Sequence, residues 1–94
     1  MIVHFFEIAG DNNAHPLLAT ATKCKWLQIQ AGLNNSGTVR YGDSSTSSTV
    51  GLQATKGAGL LFRPIAEISE FYDLSQIYAW VATGDVLDVL YVTG

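Results

Sequence analysis

Short apolar runs, broken by turn residues at intervals of roughly 8–12 residues, restrict this chain to an all-β architecture. The runs are IVHFFEI (2–8), LLATATKCKWLQIQA (17–31), TVRYG (38–42), TVGLQA (49–54), LLFRPI (60–65), IYAWVAT (77–83) and VLDVLYV (86–92). GDNN, LNNSG, DSSTSS, TKGAG and GD stand between them and supply turn-forming Gly, Asn, Asp and Ser. No alternation of strand-like and helix-like segments appears, so a parallel sheet is not expected. AEISEFYDLSQ (66–76) is ambiguous and reads as strand or irregular chain entering a turn. The expected fold is an antiparallel β-sandwich or jelly roll of about seven or eight short strands. IYAWVAT and VLDVLYV are separated only by Gly84 and Asp85, which reads as a two-residue hairpin loop.

The Ser/Thr/Gly-rich stretch NNSGTVRYGDSSTSSTVG (34–51) contains a strand and has strands on both sides. It therefore reads as two exposed turns around a short strand rather than as a linker, and the chain as one domain over residues 1–94. A chain of 94 residues that is 48% hydrophobic and only 14% charged has few charges with which to cover its surface. It must expose apolar patches or have them covered.

The strands sharpen that expectation. In 86–92, Leu87, Val89 and Tyr91 share one face, and Val86, Asp88, Leu90 and Val92 the other. In 77–82, Ile77, Ala79 and Val81 oppose Tyr78, Trp80 and Ala82. A half-solvated antiparallel sheet alternates apolar and polar; these strands are apolar on both sides. The second face is covered either by loops of a compact sandwich or by another subunit, and an assembled part is the reading adopted. Trp26, Tyr78, Trp80 and Tyr91 are the expected interface anchors, with Arg40 and Asp43 on an exposed rim. Trp26, Tyr78 and Trp80 on one face would equally form a platform for sugar rings.

Catalytic and cofactor chemistry finds no support. His4 and His15 lack HxH or HExxH spacing, so no metal is expected; His4 reads as a polar-face strand residue and His15 as part of a turn. No G-x-S-x-G elbow occurs, and Lys56 in GLQATKGAG is not followed by Ser or Thr as a phosphate loop requires. Cys24, between Lys23 and Lys25, reads as a small strand residue rather than a reactive thiol. NNS (34–36) matches a glycosylation pattern but reads as a polar turn. Five scattered basic residues against eight acidic ones make no stripe for nucleic acid. No apolar stretch approaches the ~20 residues of a membrane span, and Glu7 interrupts the apolar start, which reads as a strand and not as a signal peptide. A single cysteine fits synthesis in a cytoplasm. Neither an enzyme nor a cofactor-binding protein is expected.

CKWLQIQA, NSGTVRYGD, STVGLQATKGAG, YDLSQIYAWVATGD and VLDVLYV, in this order, cover roughly residues 19 to 93. Together they resemble small structural proteins of tailed double-stranded DNA bacteriophages. The resemblance lies in strands and turns, and carries no residue-level site. It implies a β-sandwich part of a virion made in the host bacterial cytoplasm: a head decoration (cement) protein, with a head-fibre or tail adaptor as the alternative. Its implied partners are the major capsid protein and copies of itself, as a homotrimer on the head surface. A small carbohydrate- or receptor-binding module is the competing reading from another class. Residues 1–16 precede the family-like region and read as a first strand or as an N-terminal arm.

Overall fold

The computed structural model describes residues 1–62 and 72–93. Ten strands occur among them: β1 (Ile2–Ala9), β2 (Ala14–Pro16), β3 (Lys23–Cys24), β4 (Trp26–Ala31), β5 (Val39–Gly42), β6 (Leu52–Ala54), β7 (Gly59–Phe62), β8 (Tyr72–Asp73), β9 (Tyr78–Trp80) and β10 (Val86–Thr93), with one 3₁₀ turn at Leu74–Gln76. The fold is all-β and antiparallel. One four-stranded sheet has the order β1-β10-β4-β7, the other β2-β9-β5-β6, and β3 pairs β8 in a separate two-stranded ladder.

The order has a simple logic. The beginning of the chain runs against its end, as β1 with β10 and β2 with β9; nearer the middle, β4 pairs β7 and β5 pairs β6. This double ribbon wraps so that successive pairs alternate between the two sheets, and the β10–β4 and β9–β5 ladders join them. Set aside the two short strands β3 and β8, and this is a jelly roll. The strand count exceeds expectation because β2 and β8 are only three and two residues long, and because 17–31 breaks into β3 and β4. At the break the pattern slips: Cys24 is buried, Lys25 exposed, Trp26 half-buried and Leu27 buried. Pro64, whose place near the end of LLFRPI suits an edge or a bend, and residues 66–71, expected as strand or irregular chain, lie outside the described residues.

Consecutive strands β9 and β10 do not form the expected hairpin. They lie in different sheets. The Asp85 N–H closes a turn on the Ala82 carbonyl at 2.9 Å, and Gly84 takes φ +92°. A positive φ at the second central residue, with Thr83 at the first, is the type II pattern. Two-residue hairpins need a positive φ at the first central residue, which a β-branched Thr disfavours. The turn therefore sends the chain across the sandwich.

Strand faces follow the alternation. Leu27, Ile29 and Ala31 from β4, Leu87, Val89 and Tyr91 from β10, and Val39, Tyr41, Ala54 and Ala79 from the second sheet form one core, joined by Leu17, Cys24, Leu74 and Val81. Phe6 and Ile8 of β1 pack against it. Leu27, Leu74, Leu87 and Val89 are fully buried, each side chain contributing about 1.5–3 kcal/mol of burial. IVHFFEI is the first strand of the sheet, and its pairing spans Ile2 to Ala9.

Candidate functional site

The outer face of the first sheet is built by three strands in register. Val3, Val92 and Trp26 form one row across β1, β10 and β4. Phe5, Leu90 and Gln28 form the next, and Glu7, Asp88 and Gln30 the third. Two rows are thus dominated by apolar side chains, and the third is acidic and amide. Val3 and Phe5 are 56% and 64% exposed, while Trp26, Leu90 and Val92 are half-buried. Phe5, Gln28, Gln30, Asp88 and Leu90 line a shallow depression of about 230 Å³.

The outer face of the second sheet carries Trp80 and Tyr78. Trp80 sits between Ala14 and Arg40, and Tyr78 between Pro16 and Gly42, and both aromatic residues are half-buried. The Arg40 guanidinium donates to the Gly51 carbonyl at 3.2 Å, which holds its stem across the β5–β6 edge. Asp43 is exposed and accepts from the Ser45 backbone N–H and hydroxyl. Those donors hold its carboxyl below its ordinary range, the Ser45 hydroxyl foremost. Asp43 is thus engaged within its own turn, while Arg40 lies on the central strand β5 between Trp80 and Gln53.

Several sequence expectations need correction. Trp26 lies on the outer face of the other sheet from Tyr78 and Trp80, so the three make no common platform. Tyr91 points inward and is 9% exposed, stacked on His4 at a centroid distance of 4.6 Å and edge-on to Phe6. It anchors the core, not a surface. His4 is likewise on the inner side of β1, where its Nε2 shares a 2.9 Å hydrogen bond with the Thr93 hydroxyl; ring stacking accommodates a histidine where the polar-face reading placed none. Val3 and Phe5 went unremarked as surface residues. The signal was there in IVHFFEI, because any strand that sends Phe6 and Ile8 to the core sends Phe5 outward.

His15 falls in β2 rather than in a turn, exposed and bonded to Asp11 at 2.7 Å. No group of three or more potential metal ligands occurs among the described residues. Cys24 is buried, and burial pushes its thiol up, opposite to what a reactive cysteine requires. The segment around Lys56 is a turn closed by the Ala58 N–H on the Thr55 carbonyl, with no helix after it to hold a phosphate. No helix in the described residues is long and apolar enough to cross a membrane.

A polar latch holds the end of the sandwich where β4 leaves and β10 begins. Asp85 is 4% exposed, and its carboxylate accepts from the backbone N–H groups of Ser36 and Gly37, both at 2.9 Å. These two donors hold its carboxyl below its ordinary range. A lowered folded-state pKa contributes stability above the unfolded value, near about 3.9, and that stability is lost as pH falls through the folded value. Unfolding midpoints in urea are therefore expected to drop below about pH 4, and Asp85→Asn to flatten that acid limb. Asp73, held down first by the Ser75 hydroxyl, leaves part of the slope in place. An acid limb unchanged in Asp85→Asn would contradict this role.

No family model, no curated protein and no solved structure matches the chain.

Proposed function

We propose that the protein is a structural component of a bacteriophage virion, a decoration protein that binds the assembled head and stabilises it through protein–protein contacts. The observation that carries an assembly role is the apolar outer side of the sandwich: Val3, Phe5, Trp26, Leu90 and Val92 on one sheet, Tyr78 and Trp80 on the other. Contiguous apolar side chains on a small domain mark surfaces that something else covers. Aromatic residues in such patches are the usual anchors of protein interfaces. The virion assignment itself rests on the sequence resemblance. Jelly rolls serve in capsids and in lectins alike, so the fold by itself favours neither reading.

A protein that binds the finished shell and not its free subunits shifts the equilibrium toward the shell. Copy number per purified particle, from quantitative mass spectrometry, tests the assignment. Icosahedral symmetry predicts on the order of hundreds of copies for a decoration protein and about six or twelve for a tail or head-fibre adaptor. Absence from particles would favour the carbohydrate- or receptor-binding module, for which the half-buried Trp80–Tyr78 pair is the available platform. Trp80→Ala is expected to weaken particle binding about thirtyfold, the ~2 kcal/mol of an interface hot spot, while leaving the free protein soluble and folded. Unchanged binding would remove Trp80 from the interface.

A further inference from the structure

The sheet edges are unequally protected. β2 is three residues long and ends in Pro16, β6 has three residues, and β7 four. Short length and proline both blunt an edge. β1 is also an edge, since β10 is its one neighbour among the described strands. It is eight residues long, runs in unbroken register with β10, and contains no Pro, Gly or Lys. Its one carboxylate is Glu7.

The direction of its backbone groups follows from two bonds. The Gly10 N–H donates to the Asp85 carbonyl, its opposite in the β1–β10 register. Hydrogen-bonded pairs recur every second residue, so the even-numbered residues of β1 bond to β10. The Gly32 N–H donates to the Val86 carbonyl, which commits the even-numbered residues of β10 to β4 and leaves its odd ones for β1, in agreement. The N–H and C=O groups of Val3, Phe5, Glu7 and Ala9 therefore point away from the sheet. The side chains of these same residues are exposed.

We infer that this edge is an interface for a second copy of the chain: β1 pairs antiparallel with the β1 of its partner across a two-fold axis. Residues facing each other in a ladder lie on one side of the sheet, and here odd residues must bond to odd ones. Two such registers pair all but one residue of the strand: one sets Phe5 opposite Phe5 and Val3 opposite Glu7, the other Phe5 opposite Glu7 and Val3 opposite Ala9. The two Glu7 carboxylates, the only acidic groups on the strand, then do not face each other. The apolar rows of both copies merge across the axis into one surface. Identity of the occupant follows from closure. Two copies satisfy each other's edges along nearly the whole strand, whereas head-to-tail pairing onto β6 or β7 meets, among the described residues, a strand half as long or shorter. The inference does not depend on the virion reading, since a protein absent from particles would still pair.

Light scattering on the purified full chain at roughly 50–100 μM is expected to give twice the 10.1 kDa chain mass. Phe5→Pro and Val3→Pro each remove an outward N–H without touching the β10 ladder, and are expected to give the single-chain mass with an unchanged β-sheet circular dichroism spectrum. Amide exchange on the unmodified protein supplies the second measurement. The amides of Val3, Phe5 and Glu7 are expected to be protected together with those of His4 and Phe6, and to lose protection alone on dilution. A single-chain or three-chain mass for the unmodified protein overturns the pairing. So does fast exchange at Val3, Phe5 and Glu7 beside slow exchange at His4 and Phe6, and that result decides the matter if the proline variants do not fold.

Discussion

Asn35→Ala is expected to lower the unfolding free energy by about 2–4 kcal/mol, a large share of the total for a domain this size. Asn35 is 6% exposed and works as a piece of backbone. Its Oδ1 accepts from the Val86 N–H at 2.9 Å, and its Nδ2 donates to the Val86 carbonyl at 2.8 Å. The chain needs this because the Gly32 carbonyl, which faces Val86 in the β4–β10 ladder, is turned to the Asn35 N–H instead. Alanine leaves the Val86 N–H without its partner next to the core, while the Val86 carbonyl keeps the Gly32 N–H. An orphaned buried donor costs about 1–3 kcal/mol, and the second lost bond about 0.5–1.5 kcal/mol. Asn35→Asp is expected to fail as well near neutral pH, because it sets a carboxylate oxygen against the Val86 carbonyl. Urea denaturation measures both, and an Asn35→Ala cost below about 0.5 kcal/mol would show that the ladder ends before Val86.

Gly10→Ala is expected to cost about 3–5 kcal/mol, enough to leave little folded protein at 37 °C. A Cβ on Gly10 would lie 1.9 Å from the Ala82 oxygen, 2.5 Å from the Ala82 carbonyl carbon and 2.8 Å from the Val81 oxygen. All three are backbone atoms, so no side chain can swing aside. The chains must separate, and the bonds Gly10 N–H to Asp85 O and Asn12 N–H to Val81 O go with the crossing. Gly84→Ala is the control. Gly84 needs its positive φ but has nothing within 4 Å of a Cβ, so only the backbone strain of about 1–2 kcal/mol is expected. Thermal unfolding of the pair separates close approach from backbone conformation. Gly10 has no positive φ, so equal losses would mean that the chains separate there at little cost.

Much of the fold was legible because side-chain alternation is local. TVRYG sends Val39 and Tyr41 inward and leaves Thr38 and Arg40 partly exposed, as the spacing requires. The two-faced reading of 77–82 and 86–92 holds as well: Leu87, Val89, Ala79 and Val81 are buried, and Tyr78, Trp80, Leu90 and Val92 half-buried. The stretch 34–51 is two polar turns around β5, and the tightness of the second comes from Asp43 and Thr46 bonding within it. The candidate surface was legible only in part. Tyr78 and Trp80 fell on one outer face. Trp26 did not join them, because a face shared along one strand says nothing of which sheet that strand enters, and Tyr91 lies on the inner face with Leu87 and Val89.

Local chemistry thus determined that this chain makes short antiparallel strands, where they turn, and which residues of each strand lie together. Partner choice was decided by tertiary structure. Gly84–Asp85 looked like a hairpin because its residues suit a tight turn; Thr83 weighs against one locally, and the packing of β9 and β10 into opposite sheets completes the crossing. The Asn35–Val86 and Asp85–Ser36 bonds join residues about fifty positions apart, where spacing in the sequence carries no signal. Even the exposed edge of β1 is defined by a strand at the far end of the chain: β10 takes one side of it, and no other described strand takes the other. Side-chain pattern is a property of neighbours in sequence, whereas strand order is set by which pairings bury the apolar faces of the whole chain at once.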